Sequence, residues 1–480
     1  MRGLALVQRL GLLVALAGVL ASCRAETVHV LRPPAREVPA GLRYTVTYLR
    51  EPERVLEVEV VRGDEAPREF LFTQAGGVHT VQAYSATGEV RVLQAGDGSV
   101  NVSADTRILR YRYSLDSRRR GRWWDFSGGM KAEEDALLIA GRSWLIRPRV
   151  AEPQDQAELT VRGADVLLPW QPGPDGVYHL RAEDLVDSGF QAFGGRRCQA
   201  RLPDAVLDVA ILGKMTHVGD AQICEWLRAR GEEVRHIRRG FPYPRVSVSV
   251  YPVPGREDAN VFGMVMWSSP PSIALLVGQD TRLDALTQDW TALHELLHLI
   301  HPAFVPRTPW ISEGLATYFT ELARSRSGRK TPEAAWAEML RGFKRSRAQV
   351  SGQTMQEMIN DSAPPEIYWL GAYFSLRLDV ALRRATDNQR GLPDVLELLA
   401  MQGATSTVEA YGAAVDAVAG KPIFDALLAE DLHQPAFAGL EGLLEALGVT
   451  PTSGGVKLQP ARDSGLREAL DGQKAASTRW

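Results

Sequence analysis

The sequence predicts an α+β chain of more than one domain: an N-terminal antiparallel β-sandwich, then a mainly helical domain with a small sheet. Three observations predict it. Hydrophobic alternation of period two dominates from about residue 26 to 165. Helical periodicity dominates after about residue 205. Between them lies a stretch rich in turn signals, including Gln171-Pro172-Gly173-Pro174. The 480 residues suffice for roughly two to four domains. With 45% hydrophobic and 24% charged residues, the chain has the makeup of a folded protein and not of a disordered one. A formal charge of −3 argues against a dedicated nucleic-acid binder. Three cysteines are too few for a disulfide-stapled scaffold or a site of four thiolates.

The chain opens with a processing signal over residues 1–22. Arg2 and Arg9 precede or flank an apolar run, Leu10 to Leu20, and no acid interrupts it. The run is shorter than the roughly 20 residues a membrane span needs. A basic start, a short apolar stretch and small residues read as a secretory signal. The run ends Leu20-Ala21-Ser22-Cys23, which resembles the lipobox of bacterial lipoproteins. The resemblance implies that Cys23 is lipidated and that the protein is membrane-anchored at the bacterial cell envelope. Arg24, in place of Asp, implies the outer membrane if the source is Gram-negative. Apart from Cys23 the chain has Cys198 and Cys224. In an oxidising compartment a disulfide between them and two separate thiols are both open.

The β-sandwich domain is expected over residues 23–195. Leu42, Tyr44, Val46 and Tyr48 alternate with Arg43, Thr45 and Thr47; Leu56, Val58 and Val60 alternate with Glu57 and Glu59; Leu109, Tyr111, Tyr113 and Leu115 follow the same rule. Such segments, separated by Gly, Pro and Asp, are antiparallel strands with one buried face. Arg118-Arg119-Arg120 reads as a solvated loop, and Trp123 and Trp124 as packing residues. A second domain is expected over residues 196–430, with a C-terminal extension over 431–480. Val246, Val248 and Val250 mark a strand, and the apolar runs Val261–Trp267 and Ile273–Val277 follow. Helices are predicted over roughly 283–300, 311–324, 332–346 and 366–385. Thr331-Pro332-Glu333 is a helix start, with a cap and a proline in the first turn.

The chemistry lies in the first two of these helices. The segment His294-Glu295-Leu296-Leu297-His298 reads H-E-x-x-H. On a helix, residues i and i+4 project from one face, so two imidazoles can reach one zinc ion at about 2.0–2.1 Å. Glu295 can then take a proton from a water that the metal has made acidic. Leu286, Trp290, Leu293 and Leu297 form the apolar back of the helix, and Pro302 stops it. His301 reads as a helix-end histidine, because a third ligand on the same helix would crowd one side of the metal. The better third ligand is Glu313, in Trp310-Ile311-Ser312-Glu313-Gly314, at the opening of a second helix.

These two segments resemble the gluzincins, zinc peptidases of the MA clan, in which H-E-x-x-H is followed by W-x-x-E-G on the next helix. The resemblance implies a thermolysin-like catalytic domain with His294, His298 and Glu313 as zinc ligands and Glu295 as general base. Thr317 falls where these enzymes often support a ligand. Ile367-Tyr368-Trp369-Leu370-Gly371 resembles the Y-x-x-G segment of the aminopeptidase N and glycyl aminopeptidase families, which implies that the Tyr368 hydroxyl stabilises an oxyanion. Gly263-Met264-Val265-Met266-Trp267 stands where aminopeptidase N enzymes carry G-A-M-E-N. It is expected to be a strand along which a peptide lies extended. It lacks the acidic residue that grips the substrate's free amine there. The metzincin pattern fails, because its glycine position is His301 and its last histidine position is Phe304. The expected function is therefore a lipid-anchored zinc metallopeptidase acting on a peptide or protein substrate. The alternative is an inactive protein of the same fold that serves binding or envelope assembly.

Overall fold

The strands expected at the N-terminus pair into a seven-stranded sheet. In the computed structural model the described residues are 41–472, apart from 51–53, 64, 73–77, 79, 95–97, 116–128, 133–135, 153, 351 and 362–365. The segment 1–22, Cys23, Arg118–Arg120, Trp123 and Trp124 lie outside them. No helix among the described residues is long and apolar enough to cross a membrane.

Leu42, Tyr44, Val46 and Tyr48 are buried, as are Leu56, Val58 and Val60 on the neighbouring strand. Their register sets Tyr44 opposite Val60 and Val60 opposite Leu109, so like faces align across three antiparallel strands. One pairing departs from the antiparallel pattern: Leu42–Leu49 pairs in parallel with Gln156–Arg162. A three-stranded sheet carrying Phe70 and Val100 covers the apolar face, together with a four-stranded one.

The four-stranded sheet links the two halves of the protein. Its strands Leu137–Ala140 and Phe190–Phe193 are buried at every position. Leu137, Ile139 and Phe193 join the core of the seven-stranded sheet. Leu138, Ala140, Phe190 and Ala192 join a second core with Ala210, Leu212, Met266 and Leu276. A sheet covered on both faces has no polar side, so Leu137–Ala140 is apolar throughout and Phe190–Phe193 is apolar but for the buried Gln191.

The second core rests on a five-stranded sheet ordered Arg196–Arg201, Val206–Ile211, Arg245–Val253, Ser272–Gly278, Phe262–Met266. Its three middle strands run parallel, and the outer strand on each side is antiparallel to its neighbour. Val246, Val248 and Val250 are buried as predicted. Ser247 and Ser249 are buried too, because this central strand is covered on both faces. Phe262–Met266 is an edge strand, paired on one side only among the described residues. Its residues divide by face. Phe262, Met264 and Met266 pack toward the four-stranded sheet, whereas Gly263 and Val265 turn to the helical layer.

The predicted helix over 283–300 is broken. It consists of Leu283–Gln288, then Thr291–Leu297 (the histidine helix), then a tight turn over His298–Ile300. Asp289 makes the break. Its carboxylate accepts the backbone N–H of Thr291 at 2.7 Å and starts a new helix there. Trp290, expected on the apolar back, is instead 38% exposed at this break. The helix Pro309–Arg326 (the glutamate helix) begins with proline in its first turn, and Pro332–Val350 begins as predicted, with Thr331 Oγ1 accepting the Ala334 N–H at 3.2 Å.

The glutamate helix crosses Glu366–Ala385 (the tyrosine helix) at two glycines. A Cβ added to Gly314 would lie 2.5 Å from backbone atoms of Gly371, and one added to Gly371 would overlap the Trp310 carbonyl. The contact is thus backbone on backbone, which only glycine permits. Deeper in the same pair, the buried Tyr318 hydroxyl donates to Asp379 at 2.9 Å.

The C-terminal stretch is part of the helical core. Leu440, Leu444, Leu447 and Val449 are buried in it. The indole N–H of Trp336 donates to Asp471 at 2.9 Å. At the other edge of the five-stranded sheet, packed against the same helical core, Cys198 and Cys224 form a disulfide that joins the edge strand to the helix Asp220–Val234 across 26 residues. Chain entropy predicts that replacing both cysteines by serine lowers stability by about 3–4 kcal/mol. Urea unfolding of the oxidised protein and of the double variant measures this, and reductant should affect only the former.

The glycine crossing yields a sharper expectation. Alanine normally gains about 1 kcal/mol over glycine inside a helix. At Gly314 the clash is with backbone that cannot rotate away, so Gly314→Ala should instead destabilise by about 1–3 kcal/mol. Gly442, in the helix Leu440–Leu447 with open space around its Cα, is the control, and Gly442→Ala should be neutral or stabilising. Thermal unfolding of the two variants reads the opposite signs.

Candidate metal centre and active site

His294 lies on the histidine helix and His298 one turn on, at the helix's C-terminal cap, and both are buried. Glu313 reaches them from the glutamate helix. Its Oε2 lies 3.2 Å from Nε2 of His294 and 3.2 Å from Nε2 of His298. One ligand atom from each of the three residues falls within 4.8 Å of the others, and this is a cluster able to hold a metal ion. Two imidazole nitrogens and one carboxylate oxygen converging from two helices are the donor set of a catalytic zinc site, which keeps its fourth position free. The residues therefore fit zinc.

The electrostatics agree. Burial opposes the charge on Glu313, but His298 and the hydrogen bonds from both histidines outweigh it and hold the carboxyl well below the usual range. Burial pushes His294 down, toward the neutral form that ligates. On His298 burial acts the same way, but Glu313 overcomes it and raises the ring.

Glu295 points from the same helix toward the edge strand. A Cβ on Gly263 would lie 2.7 Å from its Cγ and Oε1, so the strand can approach only because residue 263 is glycine. The backbone N–H of Val265 bonds the carboxylate. Burial, reinforced by Glu313, pushes Glu295 up to about 7 against the pull of His298 and that N–H. A carboxylate near neutrality, beside a metal cluster and a strand edge, is suited to carry a proton in both directions.

Tyr368 belongs to the first turn of the tyrosine helix. Its ring stacks on His294 at 6.1 Å, with 11° between planes. Its hydroxyl bonds Glu313, and burial with the charges of Glu313 and Glu295 raises it. The phenol therefore keeps its proton and can donate it in a hydrogen bond. Thr317 lies one turn beyond Glu313. Among the described residues, its buried Oγ1 has no hydrogen-bond partner, and neither has Nδ1 of His294.

The structure thus brings together His294, Glu295, His298, Glu313, Tyr368, Gly263 and Val265. It separates Met264 and Met266 from them. Met266 is 7% exposed and packs into the core between the sheets, so the position expected to face a substrate serves cohesion instead. Two further residues stand at the site. His301, read as a helix-end histidine, lies against His298, with its Nε2 3.2 Å from Nδ1 of His298. The signal was its spacing of three from His298 together with Pro302. Arg307 is exposed between the two helices, and its charge acts on both His298 and Tyr368. No motif marked it.

The sequence matches no protein-family model and no curated protein. Solved structures do match. An aminopeptidase N family protein from Idiomarina loihiensis aligns over 85% of this chain and 78% of its own, with 16% identity and a TM-score of 0.63. An M1 zinc metallopeptidase from Deinococcus radiodurans aligns over 82% of this chain and 92% of its own, with 17% identity and a TM-score of 0.45. Leukotriene A4 hydrolase from Saccharomyces cerevisiae aligns over 82% and 68%, with 11% identity and a TM-score of 0.48. The first likeness is one of fold, and the fold is that of a gluzincin-type zinc peptidase of the MA clan.

Proposed function

We propose that this protein is a zinc-dependent metallopeptidase, anchored at a bacterial cell envelope through lipid on Cys23. The observation that carries the enzymatic part is the convergence of His294, His298 and Glu313 with Glu295 buried alongside. When bound, zinc supplies Lewis acidity to a water and to a peptide carbonyl. The work of the chain's own residues follows from their positions. The open edge of Phe262–Met266 can pair with an extended peptide and hold its scissile bond beside Glu295. Glu295 takes the proton of the attacking water and passes it to the leaving amine. Tyr368 donates a hydrogen bond to the oxygen that gains charge.

The substrate's free amine has no partner of its own in this arrangement. The edge strand Phe262–Met266 carries no acidic side chain, and Met266, at the position where such a grip would stand, is buried between the sheets. We therefore read the site as one that accepts internal peptide bonds. Anchoring is supported by the sequence Leu20-Ala21-Ser22-Cys23, and the disulfide suits an oxidising compartment.

Glu295→Gln should lower kcat on a cleaved peptide by about 10²–10⁴-fold while retaining about one zinc per chain. His298→Ala should lose the metal as well. Metal analysis beside a peptide-cleavage assay reads both. Cleavage by Glu295→Gln at the wild-type rate would refute the assigned base. Zinc-free, well-folded wild type after supplementation would refute the enzyme. For the anchor, Cys23→Ser should abolish fatty-acid labelling and move the protein from the membrane to the soluble envelope fraction.

A further inference from the structure

His301 is 2% exposed and held between two rings, Trp267 at 5.4 Å and Phe304 at 5.6 Å. Pro302 determines where it points. The residue before a proline is driven out of the helical region, and His301 is extended, at φ −122° and ψ 156°. The side chain therefore leaves the helical row of His294 and His298 and turns behind His298.

Its two nitrogens have unlike neighbours. Nδ1 lies 2.8 Å from the carbonyl oxygen of Pro302. Nε2 lies 3.2 Å from Nδ1 of His298. A carbonyl only accepts, so Nδ1 of His301 carries a proton. A neutral imidazole has one such proton, so Nε2 of His301 is an acceptor. It then accepts from Nδ1–H of His298. In the neutral ring that would ligate a metal, this leaves the lone pair of His298 on Nε2, the atom facing Glu313 at 3.2 Å. The reverse tautomer of His298 would put its proton where a metal ion must bind. One carbonyl thus fixes, through two rings, which nitrogen of His298 is free to ligate. Among the described residues, Nδ1 of His294 has no such partner.

We infer that His301 is a positioning residue for the zinc site: relaying the Pro302 carbonyl to His298, it sets the tautomer and ring orientation of that ligand. The inference rests on the zinc-peptidase reading and adds a component to it. His301 touches neither metal nor substrate. Its effect is expected in metal affinity and in ligand geometry.

The test uses the full-length protein and replaces His301 in three ways. His301→Phe keeps an aromatic ring between Trp267 and Phe304 but removes the acceptor. His301→Gln and His301→Met form a pair of similar reach, of which only Gln supplies a good acceptor. Zinc affinity is measured by competition with a chromogenic chelator. Ligand geometry is read from the visible absorption of the cobalt(II)-substituted protein. Loss of support behind a ligating histidine typically costs about 10–100-fold in metal affinity. Phe and Met should show that loss and an altered cobalt spectrum, while Gln should bind zinc more nearly as wild type does. If Phe does not fold, the Gln–Met pair carries the comparison. Unchanged zinc affinity and cobalt spectrum in Phe and Met would overturn the inference. So would equal losses in Gln and Met, which would assign His301 to packing alone. Failure of the underlying reading looks different, because then wild type itself takes up no zinc, and the inference falls with it. Wild type that binds zinc beside unaffected variants removes the inference alone.

Discussion

The contact of Gly314 with Gly371 sets the distance between the two helices that frame the site. Each glycine lies within one helical turn of a functional residue. Glu313 immediately precedes Gly314, and Tyr368 lies one turn before Gly371. The glutamate and tyrosine helices meet backbone to backbone at this point, so Glu313 and Tyr368 are both held over His294. A side chain at either glycine would part the helices and move a ligand and a phenol together. The chain accepts two residues of poor helix propensity in helix interiors for this reason. The buried Tyr318–Asp379 hydrogen bond lies farther along the same pair and fixes their rotation about the crossing.

A second constraint concerns charge. Glu295 is buried, and its raised pKa is a cost in stability that catalysis accounts for. Its neighbours limit that cost without removing it. The Val265 N–H bonds the carboxylate, His298 attracts it, and Gly263 lets the strand come close enough for the bond to form. The result is a carboxyl group at the balance point between its two protonation states. Glu313, with two histidines on one oxygen, is driven to the opposite end and stays ionised. Two glutamates on adjacent helices thus take unlike roles from unlike surroundings.

Much of this was legible in the sequence, for identifiable reasons. The alternation at Leu42–Tyr48 and Leu56–Val60 survives in the fold because those strands have one buried face. H-E-x-x-H and Glu313-Gly314 were legible because metal ligands need fixed spacing on a helix. What escaped depends on non-local packing. Leu283 to Ile300 reads as one helix, since nothing in its periodicity reveals that Asp289 caps the residue two positions on. Trp290 was assigned to the buried stripe for the same reason. Met266 was read as part of a substrate strand, correctly placed along the chain but on the face that meets the four-stranded sheet. The helices after residue 430 were not anticipated, because their short apolar stripes gain meaning only against a core built from Trp336 and its neighbours. His301 was noticed, but its function depends on a carbonyl and a ring that the backbone turn at Pro302 brings together.

The division of faces on Phe262–Met266 has an evolutionary consequence. Alternate residues of one five-residue strand answer to two different demands. Gly263 and Val265 answer to the proton carrier, and Phe262, Met264 and Met266 answer to the seam between the two halves of the protein. A slip of one residue would exchange the two sets, setting methionine against Glu295 and glycine in the seam. Sequence drift on this strand is therefore confined to substitutions that keep register, and a charged group can be acquired at position 266 only by opening the seam. The cleft and the joint between halves thus share one strand, and a substitution on either face of it is felt by one of them.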